Sequence, residues 1–158
     1  MMEGVVSKVH FANLLRLTTL AAYSNQLTFE VSHNWIHPFQ LNYLNLASWN
    51  LGKFPLWLCS QKHLFYLDIS NIGISNTIPL VFWNSPFQFK YLNFSHNQIY
   101  GEIPNIVVNL SFPSRIDMRS NHFKGSIPFL SSTNCGVARS FNEFIFWIYF
   151  SVFVLQDE

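Results

Sequence analysis

Six histidines and two cysteines are the side chains here best suited to metal or nucleophilic chemistry, and their spacing supports neither. His10, His33, His37, His63, His96 and His122 are scattered. Only His33 and His37 stand four apart, flanking Trp35 just before Pro38. A zinc site needs three or four protein ligands, and this pair has no third beside it. No nucleophile elbow, phosphate loop or kinase motif occurs. The sequence therefore predicts no catalytic residue, metal or cofactor, and function must lie on a surface whose elements the rest of the chain has to build.

Those elements announce themselves by period. A phrase of about six residues recurs as Met2 to Ser7, Leu27 to Ser32, Ile74 to Pro79, Ile99 to Pro104 and Phe123 to Pro128, with a shorter copy at Leu51 to Pro55. Its closing pairs, from Val6-Ser7 to Ile127-Pro128, are spaced 25, 23, 24, 25 and 24 residues apart. Self-similarity at such a period is the mark of a solenoid, in which each unit buries its apolar face only against its neighbours.

Upstream of each closing pair lies a second pattern. It runs Leu17, Leu20, Ala22, Asn25, Leu27; then Leu41, Leu44, Leu46, Trp49, Leu51; then Leu64, Leu67, Ile69, Ile72, Ile74. Two more copies are Phe89, Leu92, Phe94, Asn97, Ile99 and, with Pro113 at the first apolar place, Ile116, Met118, Asn121, Phe123. This is the leucine-rich repeat signature. Alternation such as Leu44-x-Leu46 puts both side chains on one face of a short strand. The expected fold is an α/β-type leucine-rich repeat solenoid: a right-handed coil of about five repeats, with a short-stranded parallel β-sheet on the concave face, an irregular or 3-10 convex side, and no caps.

A coil turning away from its strand strands backbone N–H and C=O groups, and an Asn side chain offers both donors and an acceptor to them. Asn25, Asn97 and Asn121 are the expected rungs of that ladder. Trp49 and Ile72 interrupt it, so those coils are expected to bend differently or to use the adjacent Asn50 and Asn71. In the phrase itself, Gly101 and Gly125 suit a positive φ, and the following Pro suits a return segment better than a central strand.

The copies FKYLNFSHNQIYGEIP, residues 89 to 104, and IDMRSNHFKGSIP, residues 116 to 128, resemble the plant extracellular leucine-rich repeats, whose motif adds L-x-G-x-I-P. LASWNLGKFPLWL, residues 46 to 58, and SQKHLFYLDISNIGISNTIP, residues 60 to 79, are similar to paired repeats of receptor-like proteins of the pathogen-recognition type. The resemblance covers roughly residues 1 to 128. It implies a plasma-membrane or extracellular setting, a peptide or protein ligand, a co-receptor kinase as further partner, and a role in defence signalling.

Charge and ends refine that expectation. Nine Lys plus Arg against eight Asp plus Glu leave a net charge of +1 with no run of either sign, which speaks against a nucleic-acid surface. The array is expected over 1–128, beginning mid-repeat, with no secretory signal because Glu3 and Lys8 interrupt any apolar stretch. A non-repeat tail, 129–158, carries the apolar segment 144–155. As a helix that segment would span about 18 Å against a hydrocarbon core of about 30 Å. Three readings stay open for it: a short membrane anchor, a tail created by read-through, or a segment covering the end of the solenoid. Cys59 and Cys135 are separated by about three repeats, on the order of 15 Å at one strand spacing per coil, too far for a disulfide. Both are expected free.

Side chains between the inward leucines should stack into columns along the sheet. The first column is Thr19, Tyr43, Tyr66, Tyr91, Arg115; the second Ala21, Asn45, Asp68, Asn93, Asp117; the third Tyr23, Ala47, Ser70, Ser95, Arg119. The expected ligand-facing set is Tyr43, Tyr66, Tyr91, Asn45, Asp68, Asp117, Arg115 and Arg119, against the plainer reading that such residues merely stabilise an exposed strand face. Asn93 and Asn109 begin N-glycosylation sequons, and a glycan on Asn93 would cover part of the tyrosines. Three functions fit the sequence: a recognition segment of a cell-surface receptor-like protein, a secreted inhibitor of a microbial wall-degrading enzyme, and a truncated product without function.

Overall fold

The computed structural model describes residues 3–32, 35–85, 88–104 and 110–125, with the side chains of Gln26 and 110–114 left aside. Its strands are β1 (Glu3–Ser7), β2 (Thr19–Ala21), β3 (Gln26–Glu30), β4 (Tyr43–Asn45), β5 (Tyr66–Asp68), β6 (Phe89–Asn93), β7 (Tyr100–Glu102), β8 (Leu110–Asp117) and β9 (His122–Lys124). The tail 129–158 with segment 144–155, and also His33, Asn109 and Cys135, lie outside the described residues. Among the described residues no helix is long and apolar enough to cross a membrane.

The principal sheet has five parallel strands in the order β2-β4-β5-β6-β8, one from each copy of the leucine pattern. Every step of the sequence period therefore becomes one step across the sheet. Leu44, Leu67 and Leu92 stand in register and are buried, and Leu46, Ile69 and Phe94 are completely so. Burying each such side chain stabilises by roughly 1.5–3 kcal/mol, provided a neighbouring coil covers it. The pairing of β6 with β8 slips once: Phe89 faces Leu110, but Tyr91 faces Arg115. The slip falls where β8 contains Pro113, which has no N–H to give to a ladder.

The recurring phrase pairs as well, which its Gly and Pro content did not predict. β1 lies parallel to β3, and β7 parallel to β9, so the phrase forms its own coil-to-coil ladders rather than a plain return loop. Gly101 shows why glycine stands inside such a strand: its φ is +98°, and a Cβ there would sit 3.1 Å from Thr77 Cγ2 of the previous coil. Beyond the phrase, Pro55 and Pro79 precede a 3-10 turn at Leu56–Ser60 and a single α turn, α1, at Leu80–Trp83. Fixed φ and a missing N–H suit proline to that entry position.

Aromatic rings pack into two groups in the core. Trp57 packs with Phe29, Trp35, His37 and Phe39 at centroid distances of 5.4–6.4 Å. A second group joins Phe54, Phe82, Phe89 and Phe94.

The asparagine ladder has a substitute rung. Asn97 donates to the carbonyls of Ile69, Phe94 and Ser95 and accepts the N–H groups of Ile72 and Ile74. Asn121 donates to Phe94, Met118 and Arg119 and accepts from Ile99. Asn25 donates to Ala22 and Tyr23 within its own coil. Trp49, at the same place in its coil, donates its indole N–H to the Ala22 carbonyl one coil back. At Ile72 the main chain takes over, its carbonyl accepting the N–H groups of Leu51 and Gly52 at 3.0 and 3.3 Å. The expectation that Asn50 and Asn71 would compensate is thus corrected: Asn71 instead reaches Ser48 Oγ, and an indole and a backbone carbonyl fill the gap.

One residue before each ladder position the chain adopts a left-handed conformation: Ser24, Ser48, Asn71, His96 and Ser120 have φ between 53° and 67°. The first four donate their backbone N–H to Ala47, Ser70, Ser95 and Arg119 of the following coil, at 2.9–3.0 Å.

Candidate recognition surface

Register converts three tyrosines from separate repeats into one object. Thr19, Tyr43, Tyr66, Tyr91 and Arg115 are successive partners across the sheet. The rings of Tyr43 and Tyr66 stack at 4.0 Å and 13°, those of Tyr66 and Tyr91 at 4.4 Å and 8°. Strands about 4.8 Å apart leave tilt as the only freedom, so rings in register stack face to face. Arg115 closes one end, its guanidinium carbon 5.5 Å from the Tyr91 ring centroid, within cation–π range.

The second column does something different from what alternation predicts. Asn45, Asp68 and Asn93 are 7–9% exposed and Asp117 is 1% exposed, so they do not present polar groups to solvent. Each bends back, its Oδ1 accepting the N–H two residues on, at Ala47, Ser70, Ser95 and Arg119 respectively. That is the local hydrogen bond Asn and Asp side chains favour at turns. The Oδ1 atoms of Asn45, Asp68 and Asp117 thus shape the strand ends.

Asp68 also steadies the tyrosines. Its Oδ2 accepts from the Tyr91 hydroxyl at 3.4 Å and from Asn93 Nδ2 at 3.2 Å, while Oδ1 holds the Ser70 hydroxyl at 2.7 Å. Asn93 Nδ2 donates in turn to the Tyr91 hydroxyl at 3.2 Å. Burial, and then the hydrogen bond to Tyr43, push the Tyr66 hydroxyl well above its ordinary range. Burial and the Asp68 charge do the same to Tyr91. Both phenols are held neutral by their surroundings.

Arg119 lies half-buried with Nε 3.5 Å from Asp117 Oδ2, a partly exposed pair of small energetic weight. Arg115 and Arg119 thus form a basic end to an uncharged strip. The sequence showed the column of tyrosines but not its stacking, for which equal repeat position was the available signal. The Asn and Asp burial was signalled only by the short i, i+2 reach of those side chains.

Of the six histidines, His33 lies outside the described residues. Among the described residues no three His, Cys, Asp or Glu side chains are placed to hold a metal. His37 ties coils together instead, with Nδ1 2.7 Å from the Phe39 carbonyl and Nε2 2.7 Å from Ser60 Oγ. Cys59 is half-buried and outside any disulfide, and burial raises its thiol pKa.

Comparison with known proteins agrees with this architecture. Residues 88–110 match the leucine-rich repeat family model. The chain is 39% identical over 128 residues to receptor-like protein EIX1 of Solanum lycopersicum and 38% identical over 127 residues to receptor-like protein EIX2 of the same plant, each alignment covering 80% of this chain. Receptor-like protein 54 of Arabidopsis thaliana is 36% identical over 92 residues, or 57% of this chain. The chain spans 12% of the length of the two tomato proteins and 11% of the third. Five parallel strands built on the leucine pattern, the match to the leucine-rich repeat model and the identity to the two tomato proteins agree: the chain is similar to the leucine-rich repeat arrays of plant receptor-like proteins.

Proposed function

We propose that this chain is a ligand-recognition segment of a plant cell-surface receptor-like protein acting in defence signalling, and that it binds a peptide or protein. The observation that carries this reading is the Tyr43, Tyr66, Tyr91 and Arg115 strip, which is continuous across four strands. Stacked tyrosines lose little conformational entropy on binding and give contact area with a polar tip, the properties that concentrate binding energy at interfaces. Arg119 extends the strip at its basic end. A right-handed array of about five coils would place the strip on its concave side. A co-receptor kinase is the further partner that the family resemblance implies, and the chain itself contributes binding rather than catalysis.

The test is alanine substitution of Tyr43, Tyr66 and Tyr91 together within a full-length receptor. Loss of ligand response at normal surface abundance is the expected result. An unchanged response would remove the strip from the recognition site.

A further inference from the structure

The tyrosine stack ends differently on its two sides. At Tyr91 it is closed by the chain's own Arg115. At Tyr43 the next residue in register is Thr19 of β2, exposed and too short to meet a ring, with the small Ala21 beyond it on the same face. Among the described residues no ring stacks on the second face of Tyr43. The series of rings advances by 4.0 and 4.4 Å per strand, so its next planar position lies above Thr19, one strand spacing from Tyr43.

We propose that this step above Thr19 is a subsite for a neutral aromatic side chain of a peptide or protein ligand, which enters against Tyr43 as the fourth ring of the stack. The proposal rests on the recognition reading of the strip and specifies what one anchor of the ligand must be. Geometry sets planarity: a ring placed in register keeps the parallel, offset arrangement the column already shows. Charge separates a neutral ring from a guanidinium. The second-column neighbours of the step are Ala21 and Asn45, neither of them acidic, and Asp68 is buried one strand further on, its oxygens committed to Ser70, Tyr91 and Asn93. A cationic side chain would find no counter-charge there, whereas a neutral ring needs none. Tyr43 stays with its own coil, since its first face is held by Tyr66.

The probes are the blocked peptides Ac-Gly-Tyr-Gly-NH2, Ac-Gly-Leu-Gly-NH2 and Ac-Gly-Arg-Gly-NH2, titrated at millimolar concentration into the full chain. The readout is the dissociation constant fitted to the saturating chemical-shift change of the Tyr43 ring and Ala21 methyl resonances. The tyrosine peptide is expected to bind several-fold more tightly than the leucine or arginine peptide. Its binding should be lost in Thr19→Trp, whose own ring occupies the step, and persist in Thr19→Val, which leaves it open. Equal affinity for the leucine peptide, tighter binding of the arginine peptide, or undiminished binding to a folded Thr19→Trp would each overturn the proposal. If Thr19→Trp does not fold, Tyr43→Leu serves in its place, read at Ala21; binding that survives the loss of the Tyr43 ring is equally fatal. Should the peptides fail while the triple alanine receptor loses its response, the subsite is wrong and the strip stands. Should the receptor keep its response as well, the recognition reading falls with it.

Discussion

Trp49 and Asn97 occupy the same position of their coils and aim a donor at the equivalent carbonyl one coil back, Ala22 for the indole and Ile69 for the amide. An aromatic residue has taken over half of an asparagine's work. It keeps the inter-coil donor and lacks the acceptor, which elsewhere in the array receives N–H groups such as those of Ile72 and Ile74.

Trp49→Phe should therefore cost about 1–3 kcal/mol, because the Ala22 carbonyl keeps the Asn25 amide but loses its inter-coil donor, and the smaller ring leaves space in the core. Asn97→Ala should cost roughly 3 kcal/mol or more, since it strands several buried backbone groups at once. Asn71→Ala, whose side chain reaches only an exposed hydroxyl but whose φ is +53°, should cost about 1 kcal/mol, for the left-handed conformation alone. Urea unfolding of the three variants gives the ranking, and equal losses at Asn71 and Asn97 would contradict it.

Gly101 and Gly52 both have positive φ but differ in their surroundings. A Cβ at Gly52 meets nothing within 4 Å, whereas one at Gly101 strikes Thr77 Cγ2. Gly52→Ala should cost about 1–2 kcal/mol for conformation alone. Gly101→Ala should cost about 1–3 kcal/mol more by crowding. Combining Gly101→Ala with Thr77→Ser, which removes the struck methyl, should recover the crowding part only.

Asn93 carries a sequon, yet its Nδ2 is committed to Asp68 and Tyr91, and the side chain is 9% exposed. A glycan on that nitrogen would expel the side chain from the sheet and release Tyr91. Peptide mass mapping of protein made through a secretory route should find Asn93 unmodified. Full occupancy in a folded, secreted product would show that the strand end is arranged otherwise.

Raised phenol pKa values have a definite sign in stability. The unfolded tyrosines ionise near their ordinary value of 10, while folded Tyr66 and Tyr91 remain neutral to higher pH. Their contribution is complete below pH 10 and is lost as pH rises through the folded values. Denaturant midpoints should thus fall above about pH 10, and fall less in Tyr66→Phe, which has no hydroxyl to ionise. A midpoint independent of pH in that range would remove the phenols from the stability balance.

Much of this was legible in residue spacing. The leucine pattern located all five strands of the principal sheet, because only one face of such a strand can be buried and a single slip would expose it. What spacing could not show was the direction of short polar side chains. Asn45, Asp68 and Asp117 alternate as outward residues should, but an Asx side chain finds its own backbone before it finds solvent. Trp49 was opaque for a related reason: its N–H sits on a ring read as core, and only the placement of the Ala22 carbonyl reveals it as a donor. The phrase hid its own pairing because Gly and Pro speak against strands in general and cannot show the positive-φ site that one ladder accommodates.

The left-handed residues before each ladder position carry a thermodynamic meaning for the whole array. Serine or histidine in that conformation costs on the order of 1–2 kcal/mol, and the N–H that Ser24, Ser48 or His96 thereby orients is answered by a carbonyl of the following coil. A coil taken alone therefore bears an unfavourable intrinsic energy, and the favourable energy belongs to the junction between coils. That division, weak units with strong couplings, is the condition for all-or-none behaviour in a one-dimensional chain of repeats. Asn or Gly placed at Ser24, Ser48 or His96 would shift stability from the junctions into the units, and the array would then melt in smaller, less cooperative blocks.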